Sequence, residues 1–211
     1  MTHIYSSGPN GIVIPTEAPE WKANYPYLGE AGKKTLEIVQ AFREGRRKML
    51  PEEIPKNLIA DKPRKNWPDI FITTNGLLVV REPVREVLER LDPGIHQFFP
   101  FDLKTKRGVA INGPWFAMNV TAEQDSIVLE RSRVHLSESD PERLNSFFVE
   151  PQDGDVVVDP ARQSGLNLWR EKRFNMSLLG SDAFQTELEA KGIKFFPSFR
   201  AQSLGASATR A

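Results

Sequence analysis

A chain of 211 residues, 39% hydrophobic and 27% charged, has the length and composition of an ordinary folded protein with one moderately large core or two small ones. It has no cysteine, which excludes disulfides and thiolate metal sites and points to a reducing cytoplasm. The 28 basic and 28 acidic side chains cancel, unlike the basic balance of a nucleic-acid binder; no apolar run approaches the ~18 residues of a membrane span, and the start lacks a secretory signal pattern.

Residues 1–28 read as irregular. Residues 12–14 suit a short strand before Pro15, Pro19 and Pro26, and Trp21, Tyr25 and Tyr27 can pack the segment down; His3 falls in an end expected to fray. Residues 29–47 suit a helix with Leu36, Val39 and Phe42 on one face and basic residues near its end, where the helix dipole favours them. Residues 51–66 carry Pro51, Pro55 and Pro63 among charges and read as a surface connection. It is the natural boundary between an N-terminal irregular and helical segment, 1–66, packed on the body, and a main α+β domain, 67–202.

Residues 69–103 hold the clearest pattern. An apolar run at 77–80 precedes Val84, Val87, Leu88 and Leu91, spaced to line one helix face, with Pro83 in the first turn, where the missing N–H costs nothing. Asp92, Pro93 and Gly94 stop the helix, and residues 95–101 read as a strand running into Pro100. Residues 176–199 repeat the plan: an apolar run, Ser181 as cap, Phe184 and Leu188 as the buried stripe, Gly192 as stop, and Phe195, Phe196 and Pro197 answering Phe98, Phe99 and Pro100. The internal repeat thus covers 76–103 and 176–199. Between the copies, 109–111 with 115–120 suits a hairpin, and 127–129, 147–149, 156–158 and 166–169 suit further short strands. The fold class expected is α+β: a largely antiparallel sheet with two helices from a duplicated strand–helix–strand unit. The small, polar residues 203–211 read as a disordered tail.

No local signature of catalysis is present: no glycine-rich phosphate loop, nucleophile elbow or HExxH. His96 alternates with apolar neighbours and His135 sits in a short strand, each reading as a surface or packed residue rather than a base. Asp153-Gly154-Asp155 lacks the remaining ligands of a calcium loop and reads as a turn. No catalytic residue, metal ligand or cofactor site is assigned. The charge is unevenly spread, however: residues 121–159 hold 10 acidic and 3 basic side chains. Such a block is either a solvated surface between strands or an acidic face that meets a basic partner.

The order of these features resembles the bacterial immunity proteins of family eleven, which accompany polymorphic toxins, over about residues 42–199. The resemblance is carried by Asp69 after a loop, residues 78–80 opening the helix at 83–91, Gly94, and a Phe-x-Pro strand at 98–100. It continues with Asn119 and Val120, then Asp125, Ser132, the strand pair at 156–159 and 168–170, and the second helix. Arg81 departs from the pattern, standing where a capping serine is common. The resemblance implies a cytoplasmic, non-enzymatic protein that binds and neutralises a cognate secreted toxin by occluding its active site. The partner is then a protein, and the candidate contact residues are Trp115, Glu123, Asp125, Glu138, Asp140, Glu142, Asp153 and Asp155. Competing readings are an interaction module with a non-toxin partner, or a small enzyme.

Overall fold

A computed structural model describes residues 1–5, 13–24, 30–140, 144–147 and 151–205. Its first elements are β1 (Thr2–Tyr5), β2 (Val13–Ile14), β3 (Thr16–Glu17), α1 (Pro19–Asn24), α2 (Glu30–Glu44), β4 (Asn57–Ala60), β5 (Ile70–Thr73) and β6 (Leu78–Arg81). Then come α3 (Glu82–Leu91), β7 (Gln97–Thr105), β8 (Trp115–Asn119), β9 (Glu123–Gln124), β10 (Val134–Leu136) and β11 (Leu144–Phe147). The last are β12 (Val157–Val158), β13 (Leu168–Glu171), β14 (Phe174–Ser181), α4 (Asp182–Ala190) and β15 (Ser198–Ser203).

Two sheets carry the fold, one of seven strands in the order β2-β5-β6-β8-β7-β4-β3 and one of six in the order β9-β13-β14-β1-β15-β12. The second order repeats the first, neighbour by neighbour. β5–β6 and β13–β14 are antiparallel hairpins. β8 lies antiparallel between β6 and β7, as β1 does between β14 and β15. β2 runs parallel to β5 and β9 to β13; β4 runs parallel to β7 and β12 to β15. Beyond β4 lies antiparallel β3, and beyond β12 the antiparallel bridge of Ile127 to Val158. One exchange separates the halves: the counterpart of β8 is β1, so the start of the chain completes the second sheet.

The pairing fixes which residues correspond. Leu78 and Arg81 answer Leu178 and Ser181, Phe71 and Ile72 answer Trp169 and Arg170, and Phe99 answers Phe199. Phe195, Phe196 and Pro197 are therefore not the counterparts of Phe98, Phe99 and Pro100; they lie in the connection before β15.

Period-two alternation sorts the strand side chains onto two faces. Leu78, Val80, Phe116 and Met118 of the first sheet and Tyr5, Leu168 and Leu178 of the second share one core. Into it go Val84, Val87 and Leu88 of α3 and Phe184 and Leu188 of α4, and the two helices pack on each other. A fully buried side chain of this kind contributes about 1.5–3 kcal/mol. The outer face of the first sheet, including Phe71, Val79 and Phe99, is covered by Ile38 and Phe42 of α2 and by Trp21. On the second, Ile4, Trp169, Leu179 and Phe199 are covered by Ile127, Leu129, Val156 and Val158. Ser181 caps α4, its Oγ accepting from the Phe184 N–H at 3.1 Å, whereas Arg81 gives α3 no side-chain cap.

Several expectations are corrected. The sheets are largely antiparallel as expected but mixed, with four parallel pairings beside seven antiparallel ones, and the described residues hold four helices, not two. Residues within 51–66 are not only a connection, because β4 lies in the sheet; the segment 1–66 supplies strands to both sheets. His3 sits in β1, 7% exposed, rather than in a fraying end. Trp115 opens a strand that pairs with β6 and β7, not with residues 109–111, of which Ala110 makes only an isolated bridge. Of the tail expected at 203–211, Ser203 instead ends β15, and residues 206–211 lie outside the described residues, as do Ile12, Tyr25, Tyr27 and residues 148–149.

Asp92 joins the halves. It ends α3, and its carboxylate accepts hydrogen bonds from the N–H groups of Asn167 and Leu168 and from Asn167 Nδ2, at 2.9–3.0 Å. Asn167 in turn accepts from Ser181 Oγ at 2.7 Å, linking the end of α3 to the cap of α4. Burial opposes ionisation of Asp92, but the neighbouring His96 ring and the bonds from Asn167 and Leu168 outweigh it and hold the pKa below the usual aspartate range. A depressed folded pKa contributes stability above the unfolded value of about 3.9, and this is lost as pH falls through the folded one. Asp92→Ala removes the acceptor of the buried Leu168 N–H and of the part-buried Asn167 N–H and Nδ2, and is expected to cost about 2–3 kcal/mol in denaturant unfolding at pH 7, Asp92→Asn less, with the gap to wild type narrowing in acid.

Candidate functional site

After β9 the chain leaves the second sheet and folds back over its outer face. This cover is anchored by apolar side chains and by a backbone ladder in which Val128 N–H donates to the Val157 carbonyl at 2.8 Å and Asp159 N–H to that of Ser126 at 2.9 Å. Ser132 Oγ donates to the Val128 carbonyl and accepts from Val157 N–H, closing the turn between them.

The acidic residues of the cover divide into two groups. One group holds the cover in shape. Asp125 pairs with Arg173 at 2.7 Å, and Asp153 accepts from the Arg200 N–H at 2.7 Å. Asp155 accepts from the Gln152 N–H at 2.9 Å and lies 3.7 Å from Arg133, while Asp159 accepts from the Ala161 N–H and lies 3.3 Å from Arg162. Asp140 is half-buried and also engaged. The second group is Glu130 and Glu138, which are exposed and whose side chains make no hydrogen bond or ion pair with the described residues; Glu123 is equally exposed, but it stands in β9 in register with Arg170, on the face of the sheet away from the cover. On the cover, Glu130 and Glu138 therefore present negative charge to solvent with no partner among the described residues. Glu142 lies outside the described residues.

Trp115 is not brought to this surface. It is 2% exposed and faces the outer core of the first sheet, edge-on to Trp67 and Phe71 at centroid distances of 6.0 and 5.8 Å. Its Nε1 donates to the Ile111 carbonyl at 3.1 Å, and the Arg81 guanidinium stands 5.4 Å from the ring centroid. In the free protein it offers no area to a partner.

A polar group that the residue pattern did not single out lies under the cover, where β9 meets β13. Glu171 is fully buried, one carboxylate oxygen accepting from Ser126 N–H at 3.0 Å and Ser126 Oγ at 2.8 Å, while Oε1 has no partner. Gln124 beside it accepts from Ser164 N–H and leaves Nε2 unmatched. The serine–carboxylate contact has the form of a nucleophile and its base, but both residues are 0% exposed, so no substrate reaches it. Its role is to fasten the cover to the sheet edge. The signal was present in the repeat: Glu171 stands where the first half has Thr73, and Gln124 where it has Ile14. Among the described residues no group of three histidine, aspartate or glutamate side chains gathers as metal ligands.

Burial pushes the Glu171 carboxyl up to about 6, with the Ser126 bonds opposing the rise. A raised pKa favours folding below the unfolded value of about 4.3, and that contribution is lost as pH rises through about 6. Glu171→Gln keeps an acceptor for Ser126 and removes the buried charge. It is expected to exceed wild type in stability by about 1–2 kcal/mol at pH 7.5 and to lose that advantage below about pH 4.5, as read from denaturant midpoints.

No curated protein matches the chain. A family model described as Immunity protein family (Imm11) matches residues 11–204, from just before β2 to just past β15, and so takes in every described element but β1, the acidic cover included. The chain therefore belongs to the Imm11 immunity protein family.

Proposed function

We propose that this protein is a cytoplasmic immunity protein that binds a cognate secreted bacterial toxin and neutralises it by occluding the active site, without catalysis of its own. The family match over residues 11–204 carries this reading. The described part of the cover, fastened by its own hydrogen bonds and ion pairs, supports it, because a surface already held in shape loses little entropy on association. A stopper of this kind needs an interface of ~1,600 Å² in total with a few anchoring side chains, and opposed charge speeds and orients the encounter.

The docking face we assign is the second-sheet cover, with Glu130 and Glu138 as the charges left over for a partner. Toxin domains that act on nucleic acids need basic clefts to hold phosphates, and an acidic plug fits such a cleft where a neutral one does not. Asp125, Asp153 and Asp155 belong to the same face but act through its shape, since each is held by a neighbour within the chain.

Co-expression with the cognate toxin tests the function: cells survive with this chain and die without it, and survival must fail with a toxin of another specificity. The face is tested by the double reversal Glu130→Lys and Glu138→Lys. Association with the toxin is expected to slow about tenfold at low ionic strength and much less at high salt, with the melting temperature unchanged. An association rate that ignores the reversal at low salt would place the interface elsewhere.

A further inference from the structure

A cavity of about 400 Å³ opens where the two hairpins of the halves face each other. It lies at the seam between corresponding positions: Ile72 and Leu78 line it from the first half, Arg170 and Leu178 from the second. Had the repeat been kept, this wall would be apolar throughout. Instead one of the four is an arginine, 6% exposed, and Arg43 from the last turn of α2 lines the cavity as well. The described lining residues include these two cations with Thr73 and Thr74, and no carboxylate.

The backbone is shaped around both arginines. Gly45 has φ +63°, and a Cβ there would stand 2.7 Å from Arg170 Nε and 2.2 Å from the Val120 carbonyl oxygen that accepts its hydrogen bond at 3.1 Å. Gly76, in the turn between β5 and β6, has φ +81°, and a Cβ there would meet Arg43 Cδ at 2.4 Å. Two left-handed glycines thus each make room for one guanidinium of the same cavity. Burial lowers Arg170 to about 10, with Glu44 opposing the fall and Arg43 adding to it, which still leaves it charged at neutral pH.

We propose that this seam cavity is a binding site for a small amphiphilic anion, its carboxylate or phosphate head held by Arg43 and Arg170 and its apolar body lying against Ile72, Leu78, Leu178 and Phe196. Guanidinium forks match such oxyanions through paired charge-assisted hydrogen bonds, and the volume falls in the lower part of the roughly 300–1,000 Å³ range of ligand pockets. The assignment does not depend on the toxin-binding reading, and its test contains no toxin.

Isothermal titration of the full chain with octanoate and with octyl phosphate is expected to give a dissociation constant of about 1 mM or tighter for at least one of them, the tighter identifying the preferred head. Inorganic phosphate alone is expected to bind at least about tenfold more weakly, lacking the apolar body. Methyl resonances of Ile72, Leu78 and Leu178 should shift during the titration. Arg43→Gln changes an exposed helix position, so the fold is retained, and should weaken the anion about tenfold or more. Failure of both amphiphiles to bind, equal binding of uncharged octanamide, or an affinity unmoved by Arg43→Gln overturns the proposal.

Discussion

The fold depends on a core that neither half can close by itself. Each sheet presents an apolar inner face with one amphipathic helix on it, and the buried stripes of the two helices meet in one shared core. Placing Val84, Val87 and Leu88 of α3 among Phe184 and Leu188 of α4 removes both stripes from water at once. Polar bonds then fix the relative position of the two units, above all the chain from Asp92 through Asn167 to Ser181, which ties the end of one helix to the start of the other. Apolar burial supplies the attraction, and the buried carboxylate supplies the register. Because β1 is the strand that β14 and β15 both need, the second half is complete only when the two ends of the chain have come together.

The elements legible in the residues were those with local periodicity. The stripes of α3 and α4 follow the helical repeat and end at recognisable stops, and both helices lie where that pattern puts them. β1 and β4 were not legible because each is four residues long and earns its place through a partner far away: Ile4 pairs with Leu179 and with Phe199, and Asn57 with Asp102. No window of sequence carries that information. The two Phe-Phe-Pro triplets misled for a related reason. They share letters, but strand pairing sets register, and it matches Phe99 to Phe199.

The site was legible in outline only. The acidic excess is visible in a count of charges, whereas its division into acids that hold turns and acids that face solvent depends on distances. Trp115 was chosen as an aromatic anchor, but β8 is buried on both faces, so an aromatic there has a core to fill. The run Trp169-Arg170-Glu171-Lys172-Arg173 looks like a solvated strand end, yet Arg170 and Glu171 are buried on opposite faces of β13, one at the seam and one under the cover. Comparison with the other half exposes them, since Ile72 and Thr73 hold those positions there.

The same comparison shows where this architecture can vary. Both outer faces are covered by chain inserted at one topological point, between two neighbouring antiparallel segments. In the first half α1 and α2 lie between β3 and β4; in the second, the acidic segment with β10 and β11 lies between Ile127 and β12. The ends of the insertion are already held side by side by the sheet, so lengthening or rewriting it costs little closure entropy and leaves the ladder intact. One copy of this slot is spent on a helical lid whose stripe completes a core. The other is an irregular cover whose described residues pack through a few apolar side chains and leave Glu130 and Glu138 facing solvent. A protein that must fit one partner among many needs such a segment, free to change its charge and shape while the duplicated frame beneath it stays fixed.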